Sequence, residues 1–156
     1  MQAAFRTKRP VDKSIKAIND TVPEDTQKKA ELLVVTTPCT VTGFRWDLRL
    51  CTATNDSAAS AGWALIITRA GNDPVTLNMG QNSDVYTPQQ HVIASGLSLL
   101  PGPNAEGVWN CKDWKGHTKT ARKLMVGDKL VLIYRNTSGS VANVDVTGQV
   151  QFICRF

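Results

Sequence analysis

The sequence predicts an all-β domain of about eight strands, a sandwich or a barrel. Three observations carry that prediction. Over residues 143–156, Val144, Val146, Val150, Phe152, Cys154 and Phe156 fall on one face of an extended chain, and Asp145, Thr147, Gln149, Gln151 and Arg155 on the other. Phe44, Trp46, Leu48 and Leu50 alternate in the same way with Arg45, Asp47 and Arg49, so two long strands are each buried on a single side. Finally, 16 Thr and 15 Val give a β-branched content that suits a pleated, half-buried surface better than a helix. At 156 residues with 42% hydrophobic content, the chain buries one core and is too short for two.

Taken in order, residues 1–30 are polar, charged and interrupted by Pro10 and Pro23, which predicts a flexible basic arm preceding the β-domain of 31–156. At most, one helical turn fits 14–19, with Ser14 as its cap and Ile15 and Ile18 on one side. Strands are predicted over 32–37, ended by Pro38, and over 40–54, followed by a surface loop at 55–61. A third covers 62–70 and stops at the Gly71-Asn72-Asp73-Pro74 turn. Weaker pieces follow at 75–79, 84–87 and 91–95, and then a loop over 101–116. Strands over 118–126, 129–136 and 143–156 close the domain, joined by a Gly127-Asp128 turn and a Thr137-Ser138-Gly139 turn.

The net charge of +5 is concentrated in two places. Arg6, Lys8, Arg9, Lys13 and Lys16 stand against Asp12 alone, and Lys112, Lys115, Lys119, Arg122, Lys123 and Lys129 against Asp113 and Asp128. Positive segments on an otherwise slightly acidic body point to a polyanion, because cations near phosphates release condensed counterions. A solvated, solubilising face is the plainer reading of the same pattern. For the arm, a phosphate-following segment, a disordered tail and a nuclear import signal at Lys8-Arg9-Pro10 are all compatible with the composition.

Catalysis finds no support in the sequence. His91 and His117 have no nucleophile or carboxylate at a telling spacing, and Asp56 and Asp73 sit in turns that want Asp for backbone reasons. Isolated glycines make no phosphate loop. Cys39, Cys51, Cys111 and Cys154 show no CxxC pair and no metal-ligand spacing, and are expected as buried free thiols in a reducing compartment. Neither a cofactor nor a metal is implied. The first ten residues lack the apolar run of a secretion signal, and no stretch has the length of a membrane-spanning helix.

The segment from Trp109 to Lys119 interleaves Trp109 and Trp114 with Lys112, Lys115 and Lys119. Aromatic faces stack on unpaired bases while lysines meet phosphates, a sequence-tolerant mode of single-strand binding. Tryptophans in a long loop also fill subunit contacts, and for Trp109 and Trp114 that interface reading is preferred.

With these segments in view, the chain resembles the small jelly-roll capsid proteins of circular Rep-encoding single-stranded DNA viruses, and more distantly satellite RNA virus coat proteins. The resemblance lies in the basic arm, in Pro38-Cys39-Thr40-Val41-Thr42-Gly43-Phe44-Arg45-Trp46 as the opening strand, in Gly62-Trp63-Ala64-Leu65-Ile66-Ile67-Thr68-Arg69 as the next, and in Thr120-Ala121-Arg122-Lys123-Leu124-Met125-Val126-Gly127-Asp128-Lys129-Leu130 as a strand-turn-strand. It spans most of 31–156. The family's arms are denser in arginine than this one, which carries Asp20, Glu24 and Asp25 and shifts part of the expected nucleic-acid contact to residues 112–123. The resemblance implies an eight-stranded jelly roll of two four-stranded sheets and a homo-oligomeric T=1 icosahedral shell of about 60 copies. It also implies a packaged single-stranded DNA genome, or RNA in the satellite type, in a virion assembled in the host nucleus. Outward loops would follow residues 54, 79 and 96, and the last strand would lie centrally with Phe152 and Phe156 in the core. Two non-viral readings share the sandwich: a sugar-binding module stacking on Trp109 and Trp114, and a trimeric ligand of the tumour-necrosis-factor type.

Overall fold

The computed structural model describes residues 11–52, 59–74, 76–77, 90–100, 110–137 and 143–156. Among these residues there are nine strands and no helix: β1 (Val11–Val22), β2 (Thr26–Val34), β3 (Cys39–Thr52), β4 (Ala59–Thr68), β5 (Gln90–Leu100), β6 (Asn110–Thr118), β7 (Arg122–Leu124), β8 (Lys129–Asn136) and β9 (Val144–Arg155). They form two antiparallel sheets. Sheet A runs β1-β9-β3-β6, with β7 also on β3, and sheet B runs β2-β8-β4-β5. The chain therefore crosses between sheets at nearly every connection, and its last strand lies between its first and third. That order is a jelly roll.

The core forms where inward faces meet. Leu48, Leu50, Phe44, Val146, Val150 and Phe152 of sheet A pack against Trp63, Leu65, Ile67, Leu130, Leu132 and Tyr134 of sheet B. β4 and β8 are buried on both faces, and on the far side of sheet B Ala64, Ile66, Val131 and Ile133 form a second cluster with Leu77 and Val92. Two glycines in sheet A are required by geometry. Gly43, at φ 61°, occupies the register shift between Thr42 and Arg45 that keeps both Val41 and Phe44 inside. Gly148, at φ 135°, lies so close to β3 that a Cβ would collide with the Asp47 carbonyl oxygen.

Several expectations are corrected. The arm does not extend to residue 30: β1 takes up 11–22, pairing with β9 along its whole length, and the turn of helix over 14–19 is strand. Long-range contacts hold it there. The Tyr134 hydroxyl donates to Asp20 at 2.7 Å and Lys28 Nζ to the same carboxylate at 3.0 Å, while Ile18 and Val22 enter the core. Two of the acidic residues that look foreign to an arm are thus clasps, Asp20 here and Asp25 in an ion pair with Arg135 at 2.7 Å. The expected opening strand at Pro38–Trp46 is the third strand, and the expected strand at 118–126 reduces to the three residues of β7. Residue 96 lies within β5 rather than at a loop, and 110–116 belong to β6. The pieces at 84–87 and the loop after 54 lie outside the described residues, as does most of 75–79. Phe152 is buried as expected, whereas Phe156, beyond the end of β9, is 37% exposed. Cys51 and Cys111 stand opposite each other in the β3–β6 register and form a disulfide, so only Cys39 and Cys154 are buried free thiols.

The Gly127-Asp128 turn is a polar hub. Asp128, 3% exposed, accepts from the Met125 and Ala70 backbone N–H groups and from the Arg69 guanidinium at 2.7 Å. Burial pushes its carboxyl up, but the Met125 N–H, the Arg69 guanidinium and the Ala70 N–H outweigh it and hold it below the ordinary value. Asp128→Ala leaves these donors unpaired and is expected to cost about 3 kcal/mol in urea unfolding at neutral pH. A depressed carboxyl contributes stability that is present above the unfolded pKa near 4 and is lost as pH falls through the folded value. The variant should therefore lose less than wild type on acidification from neutral to about pH 3, and an equal loss would contradict this role.

Candidate nucleic-acid interface

The outward face of sheet A reads, row by row, from the register of its strands. The first row is Val11, Arg155, Thr40 and Lys123; the second is Lys13, Ile153 and Thr42; the third is Ile15, Gln151, Arg45 and His117. Above them lie Ala17, Gln149, Asp47 and Lys115, then Asn19, Thr147, Arg49 and Asp113, then Thr21, Asp145 and the Cys51–Cys111 disulfide. Alternation along each strand puts these residues on one side, and a hydrogen bond from Thr21 Oγ1 to Asp145 Oδ1 at 2.7 Å is consistent with it.

The face is electrostatically divided. Its upper rows contain all three carboxylates, and these are largely matched: Arg49 forms a two-pronged pair with Asp113, at 2.7 and 3.1 Å, and Lys115 lies 3.9 Å from Asp47. The hydrogen bond from Arg49 holds the Asp113 carboxyl below its ordinary value. The three lower rows contain Lys13, Arg45, Lys123 and Arg155 and no carboxylate. All four cations are exposed, and none has an ion-pair partner among the described residues. Lys119 joins them at the margin, where its carbonyl accepts from Thr42 Oγ1. Between the halves, Arg45, Asp47, Lys115, His117, Gln149 and Gln151 line a shallow depression of about 390 Å³. Unpaired cations suit phosphates, and amide and imidazole groups can hydrogen-bond the edges of unpaired bases.

The residues singled out from the sequence divide accordingly. Lys13, Lys119 and Lys123 belong to the unpaired basic half, and Lys115 sits one row above it beside Asp47. Lys16, Lys112 and Arg122 alternate to the other side of their strands, opposite Val150, Leu50 and Val41. Arg6, Lys8, Arg9 and Trp109 lie outside the described residues, and Val11, the first described residue, pairs with Arg155 in the basic half. Trp114 is not displayed for stacking. It packs half-buried against the core with its ring 6.2 Å from that of Trp63, which also meets Trp46 at 6.0 Å, and Gly96 and Gly116 leave the room these indoles occupy. Arg45, Arg155 and His117 were missed. The sequence showed the two arginines on polar strand faces, but only the β9–β3 register brings them together.

Burial pushes the Cys154 thiol up to about 11, away from the thiolate a nucleophile needs. His91 Nε2 lies 3.0 Å from the Arg69 guanidinium, within the Asp128 hub. Among the described residues, no cluster of three His, Cys, Asp or Glu could hold a metal ion.

No family model matches this chain, and no curated protein matches it. Among solved structures it overlays on the structure of infectious bursal disease virus Gx strain, with a TM-score of 0.35 and 9% identity over 92% of this chain and 32% of that one. It also overlays on the crystal structure of the infectious bursal disease virus VP2 subviral particle, with a TM-score of 0.29 and 10% identity over 90% of this chain and 33% of that one. The chain spans about a third of the length of either.

Proposed function

We propose that this chain is a viral capsid subunit that assembles into a small icosahedral shell around single-stranded DNA. The observation that carries this reading is the lower half of the outward face of sheet A, four exposed cations with no carboxylate among them, at the root of a basic arm. Such a surface gains affinity for any polyanion by counterion release and needs no base-specific geometry. In a shell this face would be turned toward the lumen. The jelly-roll order of the strands and the resemblance of the segments at 38–46, 62–69 and 120–130 to capsid strands support the same reading.

Negative-stain microscopy of the purified protein, combined with the ratio of absorbance at 260 and 280 nm, tests both parts. Closed particles with a nucleic-acid absorbance excess are expected, and DNase rather than RNase should remove the extracted nucleic acid. Retained RNA would favour the satellite type. A monodisperse monomer would rule out the shell, leaving a β-sandwich binding module.

A further inference from the structure

We propose that β1 is a docking edge for a second copy of this chain, the two β1 strands pairing antiparallel about a twofold axis at Ser14. β1 ends sheet A on one side, and its register with β9 runs unbroken over twelve residues. A long, regular edge strand presents a row of backbone donors and acceptors to any strand that can match it. The edges of sheet B are interrupted, β2 by a bulge between Glu31 and Leu33 and β5 by the register shift opposite Leu65 and Ile66. β1 has no such break. It displays instead Val11 and Ile15, 56% and 55% exposed.

The sequence of β1 selects the partner and the register. For the outward face of one copy to continue into that of the other, odd-numbered residues must oppose odd-numbered ones, so the axis falls on a residue. An axis at Lys13 or Lys16 sets lysine against lysine. An axis at Ile15 opposes Asp12 to buried Ile18, and one at Ala17 opposes Lys16 to it. Two axes match charge, and the one at Ile18 relies on Asp20, whose carboxylate already accepts from Tyr134 and Lys28. At Ser14, Asp12 faces Lys16 of the second copy and Lys16 faces its Asp12, with both side chains exposed. On the outward face, Val11 then opposes Ala17 of the second copy and Lys13 opposes its Ile15, while Ile15 lies diagonal to both Val11 and Ile15 across the seam. The ladder runs from Val11 to Ala17 of each copy. The product is one continuous sheet across two copies, with Val11 and Ile15 of each copy brought together along the seam. This pair stands whether or not it is built further into a shell.

Sedimentation of the full chain over graded concentrations tests it, with circular dichroism confirming that each variant is folded. Lys16→Asp and Asp12→Lys, both at exposed positions, are each expected to weaken association at least about tenfold. The double variant Asp12→Lys/Lys16→Asp should restore it. Ser14→Cys, treated with oxidised glutathione as the two-electron acceptor, should give a disulfide-linked dimer on a non-reducing gel. A double variant as weak as either single one, or a Ser14→Cys chain that never cross-links, would overturn the proposal. Nucleic-acid-filled particles indifferent to all these changes would sink this contact and leave the shell standing. Cross-linked, charge-sensitive dimers that never close into particles would do the reverse.

Discussion

A chain cut after Val150 is expected to lose its cooperative unfolding transition altogether. β9 is the hinge of sheet A, pairing with β1 on one side and β3 on the other. Removing 151–156 strips the partners from Val11–Ile15 and from Thr40, Val41, Thr42 and Arg45. It also empties the core of Phe152 and Cys154, both buried. Losing one buried Phe side chain alone costs about 3–5 kcal/mol. A domain of this size has about 5–15 kcal/mol in total. With two strand pairings also broken, the remainder cannot hold. Deleting Phe156 alone, which is partly exposed and beyond the strand, should cost under about 1 kcal/mol. Thermal melts followed by far-ultraviolet circular dichroism separate the two, and a truncated chain that melts cooperatively near the wild-type temperature would contradict the central placement of β9.

The triple variant Arg45→Gln/Lys123→Gln/Arg155→Gln is expected to bind single-stranded DNA about a hundredfold more weakly near 0.1 M salt. Each lost phosphate contact should also flatten the slope of log affinity against log salt by about 0.7. These side chains are exposed and have no ion-pair partner among the described residues, so the fold should be unaffected. The control Lys29→Gln/Lys112→Gln/Lys129→Gln removes the same charge away from this face and should change the affinity far less. Fluorescence anisotropy with a labelled oligodeoxythymidylate reads both quantities. Equal losses in the two variants would mean that net charge, not this face, governs binding.

Much of the fold was legible because one-sided burial writes itself into a strand as alternation. Residues 143–156 and 44–50 showed which side chains enter the core, and 62–70 and 129–136 showed strands rich in apolar residues. β1 was illegible for the opposite reason. As an edge strand it buries only Ile18 and Val22 while exposing Val11 and Ile15, so its period is blurred, and it owes its place to β9 and to the Asp20–Tyr134 contact more than a hundred residues away. The disulfide was hidden by the same distance, since 60 residues separate Cys51 from Cys111 and only the β3–β6 register sets them face to face. Trp114 looked like a loop residue beside a Gly- and Pro-rich run, yet β6 carries it into the core. The site shows this most plainly. Arg45 and Arg155 were each readable as outward-facing, but their neighbourhood is a property of strand order, which no local pattern states.

Cryo-electron microscopy of the purified assembly tests the central claim most directly. The expected result is a closed icosahedral shell in which Lys13, Arg45, Lys123 and Arg155 face the lumen against nucleic-acid density. Monomers under assembling conditions, or a shell lined by the outward face of sheet B with these four residues on the exterior, would contradict it.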